Sequence, residues 1–238
     1  SNYLNFIGIT DQAIADTATG AVIVQGGVSE KLSGLTVGAD YYVQADGTLN
    51  TATSAVNYDI ANGSYTQAFS VSAQVTFPSG VAFNPTGTKM FVVDNTGDDV
   101  NEYTLSTGFD VSTASFVDSF SVNAQQAAPM SVAFNTDGTK MYIVGETEDT
   151  VAQYALSTGF DVSSASFTQA FSIASQETEA QGITFNTDGT KMFIIGDTGN
   201  DINEYTLSSG FDVSTASFVD SFSLASQTTQ PKEGVFNT

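Results

Sequence analysis

Acidic side chains gather in three six-residue loops that are spaced 51 residues apart, and their oxygens could bind a cation. The loops read DNTGDD (94–99), GETEDT (145–150) and GDTGND (196–201). Calcium takes six to eight oxygen ligands from carboxylates, carbonyls and water, so these loops are candidate calcium or ligand-binding sites. Their spacing differs from that of the twelve-residue EF-hand loop, and a solvated acidic turn is the competing interpretation. The candidate residues are Asp94, Asp98, Asp99, Glu146, Glu148, Asp149, Asp197 and Asp201.

The chain lacks the residue types that several kinds of catalysis need. The chain has no Cys and no His, so it has neither a thiol nucleophile nor an imidazole base. It also has no glycine-rich phosphate loop followed by Lys-Ser or Lys-Thr. A glycosidase needs a distinctive pair of carboxylates, whereas the acids here belong to the repeat pattern. We therefore expect a protein that is not an enzyme.

The charge balance excludes two classes of partner. There are 26 Asp and Glu residues against five Lys and Arg, which gives a net charge of −21. Nucleic acid and anionic lipid both need clustered Lys and Arg, so we expect no nucleic-acid binding. The longest apolar runs have about five residues, against about 20 for a membrane-spanning helix, so we expect no membrane insertion. Such acidity suits a salty extracellular medium that screens self-repulsion.

A phrase of the form F-N-x-x-G-T-K-M returns every 51 residues and must position these loops. Its copies begin at Phe83, Phe134 and Phe185, and Phe236 starts a fourth copy. A fixed period near 50 residues indicates a repeat architecture. In the first repeat we predict strands A, B, C and D at 80–83, 90–94, 100–105 and 116–121. The connections are too short for parallel crossovers, so neighbouring strands should be antiparallel.

Strand B is apolar at four consecutive positions in every repeat (90–93, 141–144 and 192–195). A half-exposed antiparallel strand would alternate, so both faces of strand B should be covered. We therefore predict an all-β fold of β-propeller-type, four-stranded antiparallel blades, with three complete units and partial ends. A β-solenoid is the main rival, although its coils rarely need two tight reversals per repeat. The absence of Trp and His fits neither WD nor kelch repeats.

Alternating strand direction divides the loops between two faces. The D-to-A loops differ between repeats and share a face with the acidic B-to-C loops; they read VTFPS (75–79), QAAPM (126–130), ETEAQ (177–181) and TTQPK (228–232). The opposite face is nearly the same in each repeat. We expect ligands at the varied face. Asp110, Asp161 and Asp212, on the other face, should bond nearby backbone amides.

Residues 1–57 lie outside the repeats and predict a small β module with strands at 5–10, 21–25 and 41–44. Asp46-Gly47 is a hairpin signal, because both residues tolerate positive φ. Residues 58–67 are a predicted linker, and repeats occupy 68–238. A strand D at 65–72 and a strand A at 234–237 would be incomplete blades. Because open strand edges aggregate, we expect the polypeptide to continue after Thr238 or to assemble with other chains.

Two segments resemble known families. The segment PSGVAFNPTGTKMFVV (78–93) resembles the YVTN-type blade of lactonase-like and surface-layer propellers, and the longer connection SxGFDVSxASF resembles repeats of marine viruses and bacteria. The segment LSGLTVGADYYVQADGTL (32–49) is similar to a β module of phage tail fibres. These resemblances imply a virion structural or adhesion protein, such as a phage tail fibre, at the virion surface or in another extracellular setting.

The implied partners are a host cell-surface glycan or protein, or other virion proteins, in a homo-oligomer or a larger assembly. Binding would be avid through repeated weak contacts. Calcium is the one cofactor that the acidic loops suggest. One alternative is a bacterial cell-surface or filament adhesin. Another is a lactonase-like propeller hydrolase, which would need unpaired catalytic residues at the ring centre that the repeats do not supply.

Overall fold

The computed structural model of the chain describes residues 64–234 and four short strands nearer the N-terminus. The chain divides into two compact parts, Ser1–Tyr65 and Thr66–Thr238. In the N-terminal part, antiparallel pairs are formed by β1 (Ile9–Thr10) with β2 (Val22–Ile23) and by β3 (Tyr42–Val43) with β4 (Leu49–Asn50). The pairing of Val43 with Leu49 encloses Asp46-Gly47, so the predicted hairpin is confirmed. The other features predicted within 1–63, and the fourth strand A after Gly234, lie outside the described residues.

The repeat part contains three four-stranded antiparallel sheets, and each sheet pairs its strands in chain order. We call the sheets blades I, II and III and their successive strands A to D. Blade I contains β5 (Pro78–Phe83), β6 (Lys89–Asp94), β7 (Asp99–Leu105) and β8 (Ala114–Ser121). Blade II contains β9 (Pro129–Phe134), β10 (Lys140–Gly145), β11 (Thr150–Leu156) and β12 (Ala165–Ser172). Blade III contains β13 (Ala180–Phe185), β14 (Lys191–Gly196), β15 (Asp201–Leu207) and β16 (Ala216–Ser223).

Short 3₁₀ helices precede strand D in the three blades, at Val111–Thr113, Val162–Ser164 and Val213–Thr215. The fold is all-β with β-propeller-type blades, and the predicted fold class is confirmed. The predicted strands of the first repeat lie within one or two residues of β5 to β8.

The turn between strands A and B explains the recurring Asn-x-x-Gly phrase. In blade I, the Asn84 side chain accepts a hydrogen bond from the Lys89 amide at 3.0 Å, and Gly87 has a φ of 68°. A Cβ at Gly87 would lie 2.4 Å from the Phe109 ring. Glycine is needed there both for its left-handed φ and for space. The equivalent glycines of blades II and III have φ values of 72° and 70°.

Strand B forms the centre of the core because its alternate side chains pack against different blades. Met141 and Ile143 are buried in one cluster with Phe91 and Val93 of blade I. Their neighbours Tyr142 and Val144 are buried in a second cluster with Met192, Ile194 and Tyr205 of blade III. The prediction that both faces of strand B are covered is therefore confirmed.

Tyrosine contributes most of the fully buried aromatic side chains in the described residues. Tyr103, Tyr154 and Tyr205 of strand C are fully buried, whereas Phe109 and Phe116 are 62% and 41% exposed. Phe116 lies in strand D at the sheet edge, and Phe109 lies in the connection before it. The equivalents of Phe109 in blades II and III, Phe160 and Phe211, pack against the core clusters, so the burial of a periodic phenylalanine differs between blades.

Glu102 of strand C is a buried acid that joins blades I and II. Glu102 is 1% exposed. Its Oε1 lies 2.6 Å from Lys89 Nζ, and its Oε2 accepts the Val162 amide of blade II at 3.0 Å. The next blade covers this face of strand C with its 3₁₀ turn, and the acid is satisfied because it caps that turn.

Residues 65–72 do not form the predicted strand D. A strand D pairs with strand C of its own sheet, as β8 pairs with β7. No strand among residues 64–234 pairs with residues 65–72. The segment therefore lacks the hydrogen-bonded ladder that holds a strand extended.

Candidate binding face

The loops lie on two faces of the blade array. The variable face comprises the D-to-A loops (72–77, 122–128 and 173–179) and the B-to-C loops (95–98, 146–149 and 197–200). The constant face comprises the A-to-B turns (84–88, 135–139 and 186–190) and the C-to-D connections (106–113, 157–164 and 208–215). This arrangement follows from four antiparallel strands in chain order.

Hydrogen bonds across the variable face join loops of neighbouring blades. Gln181 at the start of blade III donates from Nε2 to Glu146 Oε1 of blade II at 2.8 Å. Lys232 Nζ then donates to Gln181 Oε1 at 2.9 Å and to Asp197 Oδ2 at 3.1 Å. The loops of blades II and III, together with residues 228–232, therefore form one continuous polar surface.

Asp94 is a structural acid of blade I. It is 2% exposed and accepts the backbone amides of Thr76 at 2.7 Å, Phe77 at 2.9 Å and Thr96 at 3.1 Å. Burial acts to raise the pKa of Asp94, but the combined backbone hydrogen bonds outweigh it and the pKa is lowered. The Asp94 carboxylate therefore joins the D-to-A loop and the B-to-C loop of blade I through hydrogen bonds.

The other two acids of the first loop have different environments. Asp98 has a φ of 53°, and its carboxylate accepts a hydrogen bond from the Asn123 side chain. Asp99 accepts Asn101 Nδ2 at 2.6 Å. Burial, followed by the charges of Asp94 and Asp98, raises the pKa of Asp99.

In blade II the predicted acids are spread around the loop. Glu146 is exposed and bonds to Gln181 as described above. Glu148 Oε2 accepts the Ala127 amide at 3.1 Å. Asp149 has a φ of 49°, which places its backbone in the left-handed region. Glu146 and Glu148 have separate partners, and the three acids do not form a group that could hold a metal ion.

Blade III contains a buried acid that our sequence analysis missed. Glu177 is fully buried in the D-to-A loop. Its Oε1 accepts the amides of Glu179 at 2.7 Å and Thr198 at 3.2 Å, while its Oε2 has no hydrogen-bond partner within the described residues. Glu177 therefore joins the two loops of blade III, as Asp94 does in blade I.

The two predicted acids of blade III lie on either side of the same loop. Asp197 pairs with Lys232 through Oδ2, and its Oδ1 is buried without a hydrogen-bond partner in the described part of the chain. Asp201 accepts Asn203 Nδ2 at 2.7 Å. Burial, with a further contribution from the charge of Glu177, raises the pKa of Asp201.

Two positions separated by 19 residues vary reciprocally between blades. When the strand-B end is glycine, the D-to-A loop supplies a long polar side chain. A Cβ at Gly196 would lie 1.9 Å from Glu177 Oε2, and a Cβ at Gly145 would lie 2.9 Å from Gln126 Oε1. The three pairs are Val75 with Asp94, Gln126 with Gly145, and Glu177 with Gly196. This reciprocal pattern is the sequence signal that could have identified Glu177.

The predicted acids do not assemble into a metal centre in residues 64–234, where no group of three or more Asp and Glu side chains is suitably placed. Calcium binding stays a prediction. None of the helices in the described part of the chain is long and apolar enough to cross a membrane.

The constant face is held by bonds that recur in each blade. Asp110, Asp161 and Asp212 each accept the amide two residues ahead, at 3.0, 3.1 and 3.1 Å, so the predicted capping is confirmed. Lys89 Nζ donates to Phe160 O at 2.6 Å, and the equivalent lysine of blade II donates to blade III at 2.7 Å. These residues recur because they hold turns and join blades.

Exposed side chains on the variable face have a different chemical character in each blade. Phe77, Ala128 and Glu179 occupy equivalent positions and are aromatic, small and acidic, respectively. Phe77 is 57% exposed, and Glu179 is also exposed. At this one position the variable face is therefore aromatic in blade I and acidic in blade III.

Comparisons with solved structures give a fold likeness at low identity. A protein of unknown function from Desulfotomaculum acetoxidans DSM 771 has a TM-score of 0.45 and 18% identity over 76% of this chain and 49% of its own. The periplasmic gluconolactonase of Pseudomonas aeruginosa has a TM-score of 0.42 and 12% identity over 61% of this chain and 38% of its own. The β-propeller domain of Myceliophteria thermophila Cps50 (Swd1) has a TM-score of 0.43 and 9% identity over 62% of this chain and 43% of its own.

The chain spans less than half the length of each of these three proteins. No protein-family model and no curated protein matches the chain. At these identities the likeness bears on the fold alone, and the protein is similar to β-propellers.

Proposed function

We propose that the protein is a structural and adhesive protein that binds its partner through the variable face and is displayed on a virion appendage such as a phage tail fibre. The observation that carries this proposal is the contrast between the two faces. On the constant face, the same turn residues recur and are used in bonds within and between blades. On the variable face, equivalent exposed positions differ in size, charge and polarity.

The physical argument is that the constant face has little freedom to change. Replacing Asp161 or Lys140 would remove a turn cap or an interblade bond that the fold uses. The exposed residues Phe77 and Glu179 lie outside the core clusters, so their substitution has a small effect on stability. Differences among blades on the variable face are therefore available for recognition.

The expected partner is a neutral or cationic surface group, such as a host glycan or a protein patch. The net charge of −21 opposes binding to nucleic acid or to other polyanions. Phe77 provides an exposed aromatic ring of the type that stacks on apolar or sugar surfaces. The carboxylates of Glu146 and Glu179 provide hydrogen-bond acceptors on the neighbouring blades.

The test compares two sets of three exposed substitutions. The first set, Phe77→Ser with Glu146→Gln and Glu179→Gln, alters the variable face. The control set, Thr86→Ala with Thr136→Ala and Thr187→Ala, alters one exposed threonine in each of the three A-to-B turns of the constant face. Fluorescently labelled proteins are titrated onto bacterial cells and purified surface glycans, and their melting temperatures are measured in parallel.

We expect the first set to weaken binding at least tenfold, with the control set equal to the wild type and all melting temperatures similar. Equal binding by both sets would contradict the assignment of the variable face. Hydrolysis of a glycan or lactone by the wild type that an acid-to-amide substitution abolishes would contradict the non-enzymatic proposal. Antibodies against the protein should label purified virions, and labelling of a bacterial envelope instead would favour the adhesin alternative.

A further inference from the structure

Two equivalent positions under the variable face are joined by a hydrogen bond in blade II. One position lies in the D-to-A loop and holds Gln126, and the other begins strand C and holds Thr150. Gln126 Nε2 donates to the Thr150 carbonyl oxygen at 2.9 Å and to its hydroxyl at 3.0 Å. One side-chain amide therefore joins the D-to-A loop of blade II to its strand C.

Blade III has an acid at each of the same two positions. Glu177 stands where blade II has Gln126, and we call Glu177 and Asp201 the acid pair. Asp201 stands where blade II has Thr150. An ionised carboxylate can only accept hydrogen bonds, so the donor of blade II has been lost. Glu177 is fully buried, and its Oε2 has no hydrogen-bond partner among the described residues. The bond that joins these positions in blade II thus lacks its hydrogen atom in blade III.

No lysine of the described residues forms an ion pair with the acid pair. Lys191 pairs with Glu204, and Lys232 pairs with Asp197 on the B-to-C loop. Tyr205 of strand C is the other titratable group whose charge interacts with the two acids. Burial, followed by the charges of the acid pair, raises the pKa of Tyr205, so its hydroxyl stays neutral at physiological pH. The two negative charges are therefore not neutralised by a neighbouring side chain within residues 64–234.

The strand-C acid has an environment of its own. The buried Asn203 donates to Asp201 at 2.7 Å, whereas blade II has Ala152 at the equivalent position. Burial is the largest cause of the raised pKa of Asp201; the Asn203 hydrogen bond lowers it, and the charge of Glu177 raises it further. Two carboxylates that share a partly buried site repel each other when both are ionised, so one proton binds such a pair more tightly than it binds an isolated carboxylate.

We propose that the acid pair binds one proton, which bridges Glu177 and Asp201 as the Gln126 amide bridges the two positions of blade II. On acidification, a proton from water forms an O–H bond with one carboxylate. That hydroxyl donates to the other carboxylate, so the pair loses one of its two negative charges. The bridge joins strand C to the loop that carries the exposed Glu179. This inference concerns the protein alone and does not depend on a partner at the variable face.

The bound proton should stabilise the fold. Because the pKa of Asp201 is raised above 3.8 in the folded chain, the folded chain binds the proton more tightly than the unfolded chain does. The stabilisation is fully present below the ordinary pKa and is lost as the pH rises through the raised value. Blade II, with an amide and a hydroxyl at the two positions, provides the matched control.

The test compares the wild type with two variants. Glu177→Gln keeps an oxygen that can accept the Glu179 and Thr198 amides, and the double variant Glu177→Gln with Asp201→Thr reproduces the blade II positions. NMR of the carboxyl carbons follows the titration of Asp201, and melting temperatures are measured between pH 7 and pH 4. Asp201 of the wild type should titrate above 3.8, and Glu177→Gln should lower its midpoint by about one pH unit. On acidification, the wild-type melting temperature should rise by about 3 °C more than that of the double variant.

Three results would overturn the proposal. The first is a wild-type Asp201 midpoint at or below 3.8, and this measurement decides the matter even if a variant does not fold. The second is a midpoint that Glu177→Gln leaves unchanged. The third is a rise in the wild-type melting temperature on adding calcium chloride at pH 7 that the double variant lacks, since a metal ion rather than a proton would then neutralise the pair. Conversely, Gln126→Glu with Thr150→Asp should add a carboxyl titration above the ordinary range in blade II.

Discussion

Replacing Glu102 by Ala tests how neighbouring blades are joined. The side chain of Glu102 is 2% exposed, and its two oxygens have different partners. Oε1 pairs with Lys89 Nζ at 2.6 Å, and Oε2 accepts the Val162 amide of the next blade at 3.0 Å. Alanine removes both interactions and leaves the amide of the fully buried Val162 without its acceptor.

The expected cost is set by the unpaired amide. A buried donor that loses its partner costs about 1–3 kcal/mol. Lys89 is partly exposed and can be hydrated, so the lost ion pair adds about 0–1 kcal/mol. We expect Glu102→Ala to lower the free energy of unfolding by about 2–3 kcal/mol. This corresponds to a fall of about 4–12 °C in melting temperature for a domain of this size.

Two matched variants separate the amide bond from the charge. Glu102→Gln keeps an acceptor for Val162, as Gln153 does for the Val213 amide at 3.1 Å, and should cost under about 1 kcal/mol. Glu204→Ala removes the equivalent residue of blade III, which is 30% exposed and pairs with a half-exposed lysine. It should cost under about 0.5 kcal/mol.

Urea unfolding at pH 7, followed by tyrosine fluorescence and circular dichroism, measures all three free energies. The reasoning is refuted if Glu102→Ala and Glu204→Ala cost the same, because then the interblade amide contributes nothing. It is also refuted if Glu102→Gln costs as much as Glu102→Ala, because then the charge rather than the amide acceptor decides the stability.

Three other predictions concern the carboxylates and the net charge. Gly196→Ala should destabilise by about 2 kcal/mol because its Cβ would overlap the Glu177 carboxylate. The double variant Glu177→Val with Gly196→Asp reproduces the blade I pair and should recover most of that loss; a double-mutant cycle with no coupling would contradict the exchange. Because the pKa of Asp94 is lowered in the fold, its stabilisation is present above the ordinary aspartate pKa of 3.8 and is lost as the pH falls through the lowered value. Unfolding curves from pH 7 to pH 2 should therefore show a smaller loss on acidification for Asp94→Asn than for the wild type. Raising NaCl from about 10 mM to about 500 mM should raise the melting temperature, because salt screens the self-repulsion of a net charge of −21; a constant melting temperature would show that the acids are locally compensated.

The fold was predictable because its signals are local and repeated. The Asn84 to Gly87 turn and the continuous apolar run of strand B recur, so each copy supports the interpretation of the others. The burial of Glu102 was not predictable from alternation within strand C, because its partner Val162 lies 60 residues away in the next blade. Alternation reports which face a side chain occupies, not what a neighbouring blade places on that face.

The acidic loops were located correctly, but the partners of their side chains were not predictable one loop at a time. Asp94 was a candidate ligand because it stands in an acidic loop, yet its oxygens accept amides from its own blade. Glu177 was missed because it lies on a D-to-A loop. The sequence analysis noted that these loops differ between repeats but named no acid in them as a candidate. Asp94 in blade I and Glu177 in blade III occupy equivalent space at the end of strand B. This equivalence becomes visible only when the repeats are aligned.

That shared space also explains how the variable face can differ between blades while the blades stay alike. A polar group from either of two loops can accept the amides that hold the loops together, as Asp94 does in blade I and Glu177 does in blade III. Once one position satisfies the buried amides, the other is free to become glycine or an apolar residue. In blade I the freed position is Val75, opposite Asp94, and in blade III it is Gly196, opposite Glu177. Because the internal requirement is met in more than one way, the exposed neighbours Phe77 and Glu179 can diverge without loss of the scaffold, which is the condition that a recognition surface built on repeats needs.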